Sequence, residues 1–347
     1  MVGRESLQTQ LFASVPLEYK IPQDHPLRKL RLLCDECLKP WMSAWESRYS
    51  DVGQPGIPPA QLIRALLLMA FYSIKSERSL CEHIEFNYLF RWFVGLDWDD
   101  VVWDHSVFSK NRERLFGDGA ADALLGEVAI LAESRGFLSS DRLVVDGTLI
   151  KAWASMKSFK ADDGSEDDLI NFKGTKRSNK THSSRTDKDA RLYRKSKGQE
   201  SMLCHMGHIL VDSVTGIIRA CRVTPATGTA EVESALDMAE EHMKANQILV
   251  GDRLYDQAKF LEGAGKQGIR AHPRAKSKGS RLSGQTTKSA SYEASMKTRY
   301  IVERSFGWIK GSGRMRQTMF QGTEKVSWQF ALMASAMNLV RIRNLTE

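Results

Sequence analysis

The sequence predicts a mixed α/β (α+β) domain preceded by a helical one. Three observations lead there. In the first third, apolar residues recur at helical spacing between proline, serine and glycine punctuation. Near Ser139 the pattern changes to short β-branched, alternating runs. Further on, helical and strand-like segments take turns, as in a domain that layers helices on a sheet. The expected boundaries are residues 1–125 for the helical domain and 139–347 for the mixed one.

The helical part opens with "PPAQLIRALLLMAFYSI", where prolines favour a helix start and the apolar residues fall on one face. "SERSLCEHI" follows, with Ser76 or Ser79 as N-cap. "NYLFRWFVGL" is closed by Gly95, and "DHSVFSKNRERLFG" offers Asp104 or Ser106 as cap and Gly117 as stop. Short helices with tight turns in a basic chain suggest a helix-turn-helix-like DNA-binding module, with Lys110, Arg112 and Arg114 on or near the helix that meets DNA. A helical bundle with solvated charges is the plainer alternative.

In the mixed part, "RLVVDGTLI" reads as a strand. "MLCHMGHILVD" and "GIIRACRVTP" read as two more, joined through the turn signal "SVTG". "AEVESALDMAEEHMKA" is a helix, "QILVGD" a short buried strand, and "SWQFALMASAMNLVRI" an apolar helix near the end. Residues 156–200 and 263–292 read as long polar loops. The later part of the first and all of the second are basic, which suits contacts to a phosphate backbone.

Composition narrows the function classes. The chain has 347 residues, 42% of them hydrophobic, enough for a sizeable core and too many for a disordered chain. A formal net charge of +8 leans toward a polyanionic partner, nucleic acid before membrane. The five cysteines are odd in number and irregular in spacing, which argues against a disulfide framework. The longest apolar block, from Leu62, is interrupted by Arg64 and is too short for a bilayer. No signal peptide is evident, so a cytoplasmic protein is expected.

Three carboxylates stand out. Asp146 lies inside an apolar strand, where a carboxylate is costly unless paired, exposed at one face or bound to metal. Asp252 ends "ILVGD", and strand ends in α/β folds often carry ligand groups; Asp212 and Asp256 are its rivals. Glu303 stands alone among Arg299, Arg304, Lys310, Arg314 and Arg316. A patch suited to phosphates repels a bare carboxylate, and a divalent cation between the two removes the conflict. At roughly 100° per residue on one continuous helix, with Arg299 at 0°, Glu303 falls near 40° and Lys310 near 20°. Val302, Ile309, Ile301 and Trp308 occupy a separate arc with Phe306 near its edge, so the apolar side packs inward. Acids from separate elements that converge in this way can hold two divalent ions for phosphodiester chemistry.

The ordered set resembles the DDE transposases of bacterial insertion sequences, in particular the group with the signature Y-x2-R-x3-E-x6-K. Arg299, Glu303 and Lys310 fit R-x3-E-x6-K, "VVDGTLIKAWAS" resembles the block around the first Asp, and "ILVGDRLYD" the block around the second. "RLYRKSKGQESMLCHMGHILVDSVTGII" is similar to the segment between them, and the helical leader from Pro58 is similar too. The Tyr slot falls on Met296, which cannot hydrogen-bond a phosphate; Tyr292 and Tyr300 are the nearby candidates.

The resemblance implies an RNase H-like catalytic domain behind a helical N-terminal DNA-binding domain. It implies cleavage at element ends, followed by transfer of the 3′-OH into target DNA. Asp146, Asp252 and Glu303 would be catalytic residues and ligands of two Mg²⁺ ions, with Mn²⁺ as a substitute. Arg299 and Lys310 would contact phosphates, and Trp153 would stack on a displaced base or pack at the strand end. The expected partners are terminal inverted repeats and target DNA, with a homodimer or larger assembly on the ends, no membrane, and a nucleoid-associated location in a bacterial cytoplasm.

Two other readings stand beside it. One is a domesticated, sequence-specific DNA-binding protein of the same fold that no longer transposes. The other is a zinc protein using Cys34 and Cys37 or Cys204, His205 and His208. A single C-x2-C without a second pair is a weak signal for zinc.

Overall fold

The computed structural model describes residues 15–41, 56–116, 119–138, 141–162, 177–194, 198 and 200–346. The chain divides into two compact units, one of residues 1–69 and 74–113, the other of 70–73 and 114–347. The division falls at 113/114, where the sequence suggests 125.

The described helices of the first unit are α1 (Leu17–Lys20), α2 (Pro26–Leu38), α3 (Pro59–Phe71), α4 (Glu77–Phe86) and α5 (Tyr88–Val94), followed by α6 (His105–Phe116), which runs on into the second. Their ends follow local chemistry. Ser76 caps α4 by accepting from the Ser79 N–H at 3.2 Å. Asn87 caps α5, and Gly95 closes it at φ +97°, a left-handed conformation that glycine adopts without strain. Asp104 precedes α6 and accepts from the Ser106 N–H at 2.8 Å. Cys34 and Cys37 lie on the buried face of α2, packed as small apolar residues.

The second unit begins with α7 (Ala120–Ser134) and is organised by a sheet of β1 (Arg142–Lys151), β4 (Arg191–Tyr193), β5 (Met202–Asp212), β6 (Ile218–Pro225), β7 (Ile248–Gly251) and β8 (Arg270–Pro273). β2 (Phe159–Ala161) and β3 (His182–Ser184) form a small separate pair. The helices after β6 are α8 (Ala230–His242), α9 (Ala258–Lys266), α10 (Gly284–Thr287), α11 (Ala290–Thr298), α12 (Ile301–Lys310) and α13 (Thr323–Leu345). β5 runs antiparallel to both β6 and β1, and β7 and β8 continue parallel to β1. The order 6-5-1-7-8, with helices between the parallel strands, is RNase H-like.

Strand alternation separates two faces. Leu143, Val145, Leu210 and Leu249 pack with Val232, Met238, Tyr255 and Phe260 beneath α8 and α9. Behind the other face lies α13, buried along most of its length; a methyl on Gly207 of β5 would stand 2.9 Å from the Phe330 ring of that helix.

Both segments read from sequence as loops contain strands. Residues 156–200 supply β2, β3 and β4. They are anchored by Asp187, which is buried and accepts from or pairs with His205 Nε2 at 2.9 Å. Its other oxygen accepts the N–H groups of Asp189, Ala190 and Gly322. Although burial pushes the other way, these partners hold the Asp187 carboxyl below its ordinary range. Residues 263–292 include β8, α10 and the start of α11. β8 escapes a periodicity reading because it is only Arg270–Pro273 and its hold on the sheet is backbone pairing to β7.

Candidate active site

The parallel pairing of β1 with β7 joins Arg142 to Ile248, Leu143 to Leu249 and Val144 to Val250. Continued by two residues, that register sets Asp146 beside Asp252, which is still extended at φ −78° and ψ −171°. β7 ends at Gly251 while β1 runs on to Lys151, whose backbone bonds instead to residues 316 and 318. Asp146 therefore sits in a gap along the edge of β1, between the end of one neighbouring segment and the beginning of the next. Such a gap lets an acid inside an apolar strand reach the surface, and Asp146 is half-buried.

Local bonds set both aspartates. Asp146 Oδ1 accepts from the Gly147 N–H at 2.8 Å, and Asp252 Oδ1 from the Leu254 N–H at 2.7 Å. The rival acids are structural. Asp212 Oδ1 accepts the Val214 and Thr215 N–H groups in the β5–β6 turn. Asp256 is buried and accepts from Lys276 and Arg281 N–H, which fixes the segment after β8.

Glu303 lies in the first turn of α12 and is exposed, while Val302, Phe306 and Ile309 of the same helix are buried. α12 packs on β1 and β5. The expected apolar arc is thus the one that faces inward, and Glu303 and Lys310 share one α12 face. Arg299 does not belong to that helix. It is the C-cap of α11, and Tyr300 is the N-cap of α12; both keep right-handed helical backbone angles, so the projection from Tyr292 to Lys310 crosses a two-residue turn between two helices. Arg299 instead lays its guanidinium over the Tyr300 ring, 4.3 Å from the centroid.

The two tyrosines near the Tyr slot differ. Tyr292 is buried; its hydroxyl donates to the Pro273 carbonyl at 3.1 Å and accepts the Ala275 N–H at 2.8 Å. Tyr300 is 52% exposed. Trp153, just past the end of β1, is 53% exposed.

On α6, Lys110 and Arg114 are exposed. Arg112 is not a free basic residue: it pairs with Glu77 and with Glu113, its side chain only 11% exposed. Sequence alone does not reveal this pairing, since Glu77 lies on another helix. His205 and His208 are likewise engaged, with Asp187 and with Thr224 Oγ1 at 2.9 Å. Among the described residues, no three His, Cys, Asp or Glu side chains stand close enough together to hold a metal ion as they are.

The sequence matches two families. Residues 139–339 match the family described as "Transposase DDE domain", and residues 15–114 match "Transposase domain (DUF772)". The chain belongs to the DDE transposases. The enzymes of this family act on DNA phosphodiesters and depend on divalent metal. A search of curated proteins finds no match to this transposase. Among solved structures, it is similar to a piggyBac transposase synaptic complex with hairpin DNA, at 8% identity and a TM-score of 0.42, over 95% of this chain and 78% of that one. It also aligns with a Mos1 transposase paired-end complex, at 10% identity and a TM-score of 0.21, over 80% of this chain and 87% of that one. No helix among its described residues is long and apolar enough to cross a membrane.

Two residues beside the aspartates escaped the sequence reading, Glu231 and Tyr255. Their signal was faint: an acid at the start of a helix, and a tyrosine three residues after Asp252.

Proposed function

We propose that this transposase is encoded by a bacterial insertion sequence of the Tyr-Arg-Glu-Lys group, and that Asp146, Asp252 and Glu303 are its catalytic carboxylates. The observation that carries the proposal is the β1–β7 register, which leads Asp146 and Asp252 to one point at the open edge of β1. Carboxylate oxygens are the donors that Mg²⁺ takes, and Mn²⁺ accepts the same set. When bound, the two ions supply charge stabilisation of the phosphodiester and an activated oxygen nucleophile.

The chain's own groups do the positioning. Asp252 is held by the Leu254 N–H, so it meets its ligand with one oxygen already directed. Arg299 and Lys310 neutralise phosphates that flank the reacting one, and Tyr300, the exposed tyrosine, fills the Tyr role. Trp153 stacks on an unpaired base next to the cleavage point. Lys110 and Arg114 contact the backbone of the terminal inverted repeat, while Arg112 supports the helix that carries them. Cleavage at two ends and transfer of the 3′-OH to target DNA require a dimer or a larger assembly on DNA.

The test is a cleavage assay on DNA carrying the two flanks of the gene, with Mg²⁺ or Ca²⁺. Wild type is compared with Asp146→Asn and Glu303→Gln. Mg²⁺-dependent nicks at matching positions on both flanks, lost in each variant while end binding persists, are expected. Undiminished cleavage by Asp146→Asn refutes the assignment.

A further inference from the structure

Glu231 stands in the first turn of α8 and is half-buried. A methyl on Gly147 would lie 2.6 Å from Glu231 Oε1 and 2.9 Å from its Cγ. The carboxylate therefore rests on the backbone of β1, one residue beyond Asp146, in a cradle that only glycine leaves open. The other acid of the same turn, Glu233, is exposed and paired with Lys259 at 2.6 Å.

Tyr255 supplies an independent observation. It is 1% exposed, and its hydroxyl has no hydrogen-bond partner among the described residues. A buried hydroxyl left without a partner is costly, so it points to a ligand or an ordered water. Burial raises the phenol well above its ordinary range, and the negative charges of Asp146, Glu231 and Asp252 raise it further. A second cradle holds the ring: a methyl on Gly251, the residue before Asp252, would stand 2.7 Å from Tyr255 Cδ2. A favourable helix-start charge explains Glu233 as well as Glu231. It explains neither the two cradles nor the buried phenol.

We propose that Glu231 is a fourth carboxylate of the metal site: Asp146, Asp252 and Glu231, which do not stand close enough to hold an ion as they are, turn onto a divalent cation when it binds, and the Tyr255 hydroxyl donates to a water in that cation's shell. This rests on the reading of Asp146 and Asp252 as metal ligands given above.

The experiment is a Mn²⁺ titration of the full chain, with free ion measured by electron paramagnetic resonance. It uses wild type, Asp146→Asn, Glu231→Gln and Glu233→Gln, each checked for its metal-free melting temperature. Expected are saturable binding in the wild type, loss or severe weakening in Asp146→Asn, and at least about tenfold weakening in Glu231→Gln, in line with the cost of losing groups around a metal. Glu233→Gln should stay within about twofold of wild type on the same scale. If Glu231→Gln does not fold, Gly147→Ala decides: it displaces the Glu231 carboxylate and keeps every ligand, so the same weakening is expected. Binding that Asp146→Asn abolishes but neither Glu231→Gln nor Gly147→Ala alters overturns the role of Glu231 and leaves the catalytic aspartates standing. A wild type without binding sensitive to Asp146→Asn overturns the metal-site reading and this inference with it.

Discussion

His208 gives the sharpest test of the packing. It is fully buried on β5, directly across from Gly147 of β1, and its Nε2 meets Thr224 Oγ1 at 2.9 Å. Burial lowers its pKa from 6.5 to about 3, with a smaller contribution from the Arg222 charge. Below pH 6.5 the unfolded chain takes a proton at His208 that the folded chain refuses. Stability is therefore lost as pH falls from about 6.5 toward 3. At pH 7 the loss is only about 0.2 kcal/mol, and at pH 5 it reaches about 2 kcal/mol. The pH 5 figure barely depends on the folded value, because any pKa well below 5 leaves the folded imidazole neutral there. The assay is urea unfolding of wild type and His208→Gln at pH 7 and pH 5; the amide of Gln retains a partner for Thr224 and does not titrate. The other titrating groups are common to both proteins and cancel in the difference. Wild type should lose about 2 kcal/mol more than the variant over that interval. Equal losses in the two proteins would refute the argument that His208 is buried and neutral.

Other outcomes follow from the same geometry. Arg112→Ala should destabilise the first unit by roughly 1–3 kcal/mol, between the ranges for exposed and buried ion pairs, as read by thermal unfolding. Arg114→Ala should leave stability within about 0.5 kcal/mol and reduce the salt dependence of DNA binding by about one phosphate contact, measured by fluorescence anisotropy across salt. Tyr292→Phe should cost about 1–2 kcal/mol, because it removes the bond to Pro273 and strands the Ala275 N–H. Tyr300→Phe should be neutral in stability on the scale of about 0.5 kcal/mol and weaken binding to cleaved DNA ends; the reverse pattern would exchange the roles of the two tyrosines.

Much of the fold is legible in the amino-acid sequence alone. The cap at Ser76, read as Ser76 or Ser79, the stop at Gly95 and the turn after Asp212 depend on interactions within a few residues, so local sequence encodes them. The strand carrying Asp146, the strand ending before Asp252 and the inward arc of α12 were readable from hydrophobic periodicity, which local spacing encodes. Two kinds of feature were not. Short strands such as β4 and β8 are held by backbone pairing to distant segments, and pairing leaves no periodic trace in three or four residues. Partnerships between elements were also hidden. Arg112 has the same sequence character as Arg114, yet only Arg112 meets Glu77. Asp256 and Asp252 are four positions apart in one motif, yet one anchors a loop and the other follows the end of β7, where the register continues toward Asp146. Glu231 and Glu233 share a helical turn, and what separates them is a glycine more than eighty positions earlier in the chain. The sequence by itself determined which acids exist and which elements carry them. Only the tertiary structure decided which of them face one another, because that depends on the register of β1 against β7 and on the space left by Gly147 and Gly251, quantities set by packing across the whole sheet.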